Sequence, residues 1–163
     1  MSRARLASRA VSDTVNAVAI DLDGALGDTR PLWRDWLDDL ARRSRVEVEL
    51  PDDRALAAAR LDGVVGNWRA LLERFAEDRA PVYLRPHAEV SAALRRLTSS
   101  GVRLGVFTDA PEPLAQVALA HLGAARRMEC VETGERALER VLERLGPDAL
   151  VARSAEELLE AAA

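Results

Sequence analysis

Apolar and polar positions along this chain alternate between two periods. Ala17-Val18-Ala19-Ile20 is a run of small and β-branched residues that fits a strand buried on both faces of a parallel sheet. Val102-Arg103-Leu104-Gly105-Val106-Phe107-Thr108 is a second such run, and shorter ones at Met128 to Val131 and Ala149 to Ala152 predict two more strands. Between them the spacing is helical. After the first strand, Thr29 offers a helix cap, Pro31 sits in the first turn, and Leu32, Trp33, Trp36, Leu37 and Leu40 recur at helical intervals. A polar break from Ser44 to Asp53 leads to an alanine-rich helix near Arg54 to Leu61, and a third helix places Trp68, Leu71, Leu72 and Phe75 on one face. Four more helices are predicted: Pro86 to Ser99, one beyond Pro113, Arg136 to Leu145, and a terminal one through Leu158 and Leu159. Strands alternating with helices in this way predict a doubly wound, mostly parallel α/β sheet of about four strands.

The length of 163 residues fits one domain, 1–163, in which the helices of 30–80 form a small insertion between the first and second strands. Aromatic stripes of the kind formed by the three tryptophans, all in this insertion, are usually core. Residues 1–12 carry Arg3, Arg5 and Arg9 among Ala and Ser, lack the apolar stretch of a secretory signal, and read as a flexible N-terminus. No apolar run is long enough to span a bilayer, which predicts no membrane partner.

A net charge of −4 and the lack of a basic face argue against nucleic acid as a partner. The single Cys130 cannot form an internal disulfide, so a reducing, cytoplasmic compartment is expected. His87 and His121, both on helices, lack a partner motif and argue against a histidine-centred site. One feature of composition bears directly on chemistry: all 23 basic residues are arginine, and the chain has no lysine.

The chemistry is concentrated where the first strand ends, at Asp21-Leu22-Asp23-Gly24. Carboxyl ends of strands are where open α/β sheets bind ligands. Residues two apart in extended backbone point to the same side, so both carboxylates can face one site. Two such charges repel, raising a carboxylate pKa unless a cation intervenes, so the pair points to a bound metal ion or to one carboxyl held protonated. Taken alone, Asp-Leu-Asp-Gly is equally a turn chosen for conformational reasons. The second strand shifts the balance, because it too ends in polar groups, Thr108 and Asp109.

In these residues the chain resembles the haloacid dehalogenase superfamily. Asp21 to Thr29 is close to that family's first motif, an Asp-x-Asp-Gly strand end, and Leu104 to Thr108 is similar to its second, a strand ending in Ser or Thr. The resemblance implies a Rossmann-like core, with the 30–80 insertion as a small helical cap. It implies a hydrolase acting on a small phosphorylated molecule through a covalent aspartyl-phosphate, with Asp21 as nucleophile and Asp23 as acid and base. Mg²⁺ would be held by the Asp21 carboxylate and the Asp23 carbonyl. Thr108 and backbone N–H groups around Asp23 and Gly24 would bind the phosphoryl oxygens, with Asp109 nearby.

Two of the family's motifs are altered. The third supplies a lysine, whereas this chain offers Gly134-Glu135-Arg136, in which Arg136 is the candidate substitute; Arg153 is a second. The fourth ends a strand with a metal-binding aspartate, and here the candidate strand ends Ala152-Arg153-Ser154, with Glu156 and Glu157 one turn later. Alternatively that strand is the family's last one and the fourth motif is deleted. Two function classes follow: a Mg²⁺-dependent phosphatase of low turnover, or an inactive member of the fold that binds a phosphorylated ligand or a protein.

Overall fold

The computed structural model describes residues 14–44 and 49–163. The expected flexible stretch 1–12 therefore lies outside the described residues, as does part of the predicted polar break. Four parallel strands form one sheet, β1 (Ala17–Asp21), β2 (Arg103–Thr108), β3 (Cys130–Thr133) and β4 (Leu150–Ala152), in the order β3-β2-β1-β4. Each runs within a residue or two of the run that predicts it. The central strand β1 is flanked by β2 and β4, with Asp21 opposite Phe107 and Ile20 opposite Ala152.

Alternation of side chains across the sheet divides the core in two. On one face Val18, Ile20, Leu104 and Val106 meet helices α4 (Ala88–Ser99), α5 (Glu112–His121) and α7 (Ala155–Ala161) through Leu94, Leu97, Leu119 and Leu158. On the other, Ala17, Ala19, Phe107 and Cys130 meet α6 (Ala137–Leu145) through Val141 and Leu145. Cys130 is buried there as a small hydrophobe. The close approach of α6 depends on Gly105, since a Cβ at that position would lie 2.8 Å from Cys130 Sγ and 2.9 Å from Val141 Cγ1. Gly105→Ala is expected to lower the unfolding free energy by about 1–3 kcal/mol through overpacking, measurable as a fall in the urea midpoint.

Between β1 and β2 lie α1 (Arg30–Ser44), α2 (Arg54–Asp62) and α3 (Trp68–Tyr83), the last running through Pro81 and so three residues past the expected boundary. Trp33, Trp36 and Trp68 are buried, with ring centroids 5.3 and 6.1 Å apart, and they pack with Leu32, Leu61 and Leu72. This cluster includes Ala110, just before α5, and Leu114, in its first turn, so the insertion is joined to the α/β core by shared apolar packing. The buried face of α3 is Trp68, Leu72, Ala76 and Ala80. Leu71, expected on it, is 39% exposed and Phe75 is half-buried at its edge, because the i, i+4 row is the one that faces α5 and α1 most directly.

Candidate active site

β1 ends in Asp21, and the chain then turns tightly. The Gly24 N–H donates to the Gly27 carbonyl (2.7 Å) and the Gly27 N–H to the Leu22 carbonyl (3.1 Å). Gly24 has φ +114°, and a Cβ there would lie 2.7 Å from the Arg153 carbonyl oxygen, so this turn passes too close to the end of β4 for any side chain. The turn sets Asp21 and Asp23 at the mouth of one crevice of about 450 Å³, whose lining includes Arg30, Arg54, Thr108, Asp109, Gly134 and Arg136. Asp21, Asp23, Thr108, Asp109 and Arg136, read from separate stretches of sequence, are thus brought together. Gly24 lies in the adjoining turn, its N–H already committed to Gly27.

Three polar side chains are fully buried among the described residues, Thr29, Arg54 and Thr108, and all three bond to the same carboxylate. Asp23 Oδ1 accepts the Thr29 backbone N–H (2.8 Å) and hydroxyl (2.6 Å), while Oδ2 accepts Arg54 Nη2 (2.5 Å) and the Thr108 hydroxyl (2.9 Å). A carboxylate has about four lone-pair positions, and these four bonds fill them. Burial pushes the Asp23 pKa up, but the Arg54 charge and then the bonds from Thr29 and Thr108 outweigh it and hold the group below the usual carboxylate range. Asp21 is in the opposite condition. Burial, and then the charge of Asp23, push it up to about 6, against the opposing influence of the Asp23 N–H, which it accepts at 3.1 Å, and of Arg153 and Arg30.

Arg54 is the residue that sequence reasoning missed. It opens α2, with Asp53 as the cap, and at 3% exposure its guanidinium spans the junction between insertion and core. Nε and Nη2 reach Asp109 Oδ1 (3.0 and 2.7 Å), Nη1 reaches the Thr29 hydroxyl (2.7 Å), and Nη2 also holds Asp23. The only trace in the sequence is negative: with alanines three and four residues on, Arg54 has no acidic partner along its own helix. Thr29, expected to cap α1, instead turns its hydroxyl to Asp23.

The expected arginines are engaged differently. Arg136, in the left-handed region at φ +58°, is paired with Glu139 and largely exposed at the rim of the crevice. Arg153 follows β4 directly beside the aspartate turn, its guanidinium 5.6 Å from the centre of the Phe107 ring, while its backbone N–H donates to Glu157 Oε2 (2.8 Å). Glu157 is therefore occupied at the backbone of β4's end. His121 bonds the Leu84 carbonyl (2.9 Å) and His87 is exposed at the start of α4, both away from the aspartates.

Comparison with known proteins decides the family. A family model for haloacid dehalogenase-like hydrolases matches residues 15–155. The chain belongs to the haloacid dehalogenase-like hydrolase family. A phosphoglycolate phosphatase of Neisseria meningitidis is similar to this dehalogenase-like chain, 29% identical over 175 aligned residues that cover 92% of the chain and 69% of that protein. Among solved structures, CbbY from Rhodobacter sphaeroides in complex with phosphate matches with a TM-score of 0.64 at 15% identity, covering 91% of this chain and 83% of that one. β-Phosphoglucomutase from Clostridium difficile matches with a TM-score of 0.60 at 14% identity, covering 91% and 81%. These two likenesses establish the dehalogenase-like α/β fold. No helix among the described residues is long and apolar enough to cross a membrane.

Phosphatases of this family generally use Mg²⁺. Among the described residues no three or more His, Cys, Asp or Glu side chains group together as a metal site. Mg²⁺ needs less than that when substrate is present, since one or two protein carboxylates with phosphate oxygens and waters suffice. The Asp21 carboxylate fits this requirement: burial and the Asp23 charge leave its ionised form costly, which a cation relieves. Asp21, beside Asp23 in the crevice, is the carboxylate such an ion would use, and Arg153 stands at the end of β4 where the family's fourth motif has an aspartate.

Proposed function

We propose that this chain hydrolyses a small phosphate monoester through a phosphoryl group carried on Asp21, the helical insertion serving as a small cap. The observation that carries the reading is the convergence of Asp21, Asp23 and Thr108 from the ends of two adjacent parallel strands in one crevice of a dehalogenase-like chain. A carboxylate oxygen of Asp21 attacks phosphorus while the bond to the leaving oxygen breaks. Asp23 gives that oxygen a proton. Water then attacks phosphorus, Asp23 takes its proton, and Asp21 is released with inorganic phosphate. Mg²⁺, held by the Asp21 carboxylate and the Asp23 carbonyl, would supply charge neutralisation for the phosphoryl oxygens. Thr108, whose hydroxyl accepts the Ala110 N–H at 3.1 Å and donates to Asp23, orients Asp23 and lines the phosphoryl pocket.

Asp23, ionised and fully bonded at rest, can serve as acid only after giving up one of its four bonds and taking up a proton from solvent, which makes low turnover the expected behaviour. That same saturation favours a second reading, a dehalogenase-like protein that binds a phosphorylated ligand, or a protein partner, without turning anything over. Phosphate release from a generic aryl phosphate separates the two. Hydrolysis that requires Mg²⁺ and stops with a chelator supports the first; phosphate binding without any metal-dependent release supports the second.

A further inference from the structure

We propose that Arg54 is the phosphate-binding cation of this site, with the Asp109 carboxylate occupying the phosphate's place on its guanidinium until the phosphate arrives; the inference rests on the hydrolase reading above. A chain without lysine must meet the phosphoryl charge with arginine or metal. Of the arginines lining the crevice, Arg30 is bonded to Asp28 and Arg136 to Glu139, and both are mostly exposed. Arg54 is buried among the described arginines as no other is, and its guanidinium lies within the crevice wall beside Asp23.

Its two edges are used unequally. Nη1 and one N–H of Nη2 are held by Thr29 and by Asp23, whose side chain is 9% exposed, and these bonds lock the plane of the group. The other edge, Nε with the remaining Nη2 N–H, is taken by Asp109 Oδ1, while Asp109 Oδ2 accepts the Arg54 backbone N–H at 3.3 Å, and the Asp109 side chain is 45% exposed. That edge is the one with which arginine receives carboxylates and phosphates bidentately. A half-exposed carboxylate leaves it at small cost, because water re-solvates the group. The backbone donors of the neighbouring turn offer no substitute: the Asp23 N–H is bonded to Asp21 and the Gly24 N–H to Gly27. A phosphate oxygen replacing Asp109 Oδ1 meets two charged donors already aimed at it, without disturbing the bonds that fix Asp23.

Orthophosphate binding, measured calorimetrically in the presence of Mg²⁺, tests this through variants with opposite expected signs. Asp109→Asn removes the competing charge and is expected to tighten phosphate binding about 3- to 10-fold. Arg54→Gln is expected to weaken it about 10- to 100-fold, with Arg54→Lys between the two because it keeps charge but loses the fork. Asp109→Asn answers the question even if the Arg54 variants fold poorly, since its side chain is half-exposed. The inference is overturned if Asp109→Asn weakens phosphate binding, or if Arg54→Gln binds as tightly as the wild type. Wild-type protein that neither binds orthophosphate nor hydrolyses an aryl phosphate overturns the hydrolase reading as well. Wild-type binding with unchanged or reversed signs in the variants overturns the assignment of Arg54 alone.

Discussion

Asp21→Asn is expected to lower aryl phosphate turnover by about a thousandfold or more while making the protein more stable. The substitution keeps the shape of the side chain and removes the nucleophilic oxygen's charge. In the folded chain that charge is a burden, because burial and the adjacent Asp23 push the Asp21 pKa from 3.8 up to about 6. Above about pH 6 the ionised group therefore destabilises the fold, and as pH falls from 6 toward 4 the cost disappears. Discounted for the partial exposure of the side chain, the gain on removing the charge is about 1 kcal/mol. Urea unfolding in a chelating buffer at pH 8 should show a higher midpoint for the variant, with the difference gone by pH 4. Turnover that persists in Asp21→Asn would show that phosphate leaves by another route.

The second aspartate, two residues away, carries the opposite sign. Asp23→Asn is expected to abolish the acid and base role and also to destabilise the protein by about 2 kcal/mol, less than is usual for opening a buried ion pair because Arg54 keeps Asp109. The Asp23 pKa is held below its ordinary value of 3.8 despite burial, so its contribution to stability is complete above about pH 4 and is lost as pH falls through the depressed value. Two unfolding curves at pH 7, one for each aspartate variant, should move in opposite directions from the wild type. A stabilised Asp23→Asn protein would show that the bonds from Thr29, Arg54 and Thr108 are weaker than their geometry implies.

This asymmetry revises the simple electrostatic expectation for paired carboxylates. Repulsion between Asp21 and Asp23 called for either a metal ion or a retained proton. The fold answers for Asp23 with a guanidinium delivered from the insertion and leaves Asp21 to bear the remaining excess charge. On the reading proposed above, a cation would be drawn to Asp21, whereas Asp23 is already fixed by protein donors.

Periodicity alone determined much of the architecture. Runs such as Ala17 to Ile20 and Leu104 to Phe107 have no polar face, and only a strand covered by helices on both sides of a sheet can bury them. Their ends in Asp21 and Thr108 follow directly, because a strand's direction and its side-chain alternation are local properties. The tryptophans likewise declared a core by their helical spacing. Leu71 did not follow, since how wide a stripe is buried depends on the partner helix and not on the stripe.

What only the tertiary structure decided is how charge is distributed around the aspartates. Arg54 lies 31 residues from Asp23 and 55 from Asp109, and no local pattern connects them. Its burial follows from α2 being held over the core by apolar contacts made elsewhere, through Trp68, Leu61 and Leu114. The seating of Arg153 is equally nonlocal: β4 pairs beside β1, on the side away from β2, and so brings the end of a distant strand against Gly24. Sequence periodicity reports which face of an element is apolar, and backbone pairing and helix packing then determine which side chains from remote elements meet where those faces end.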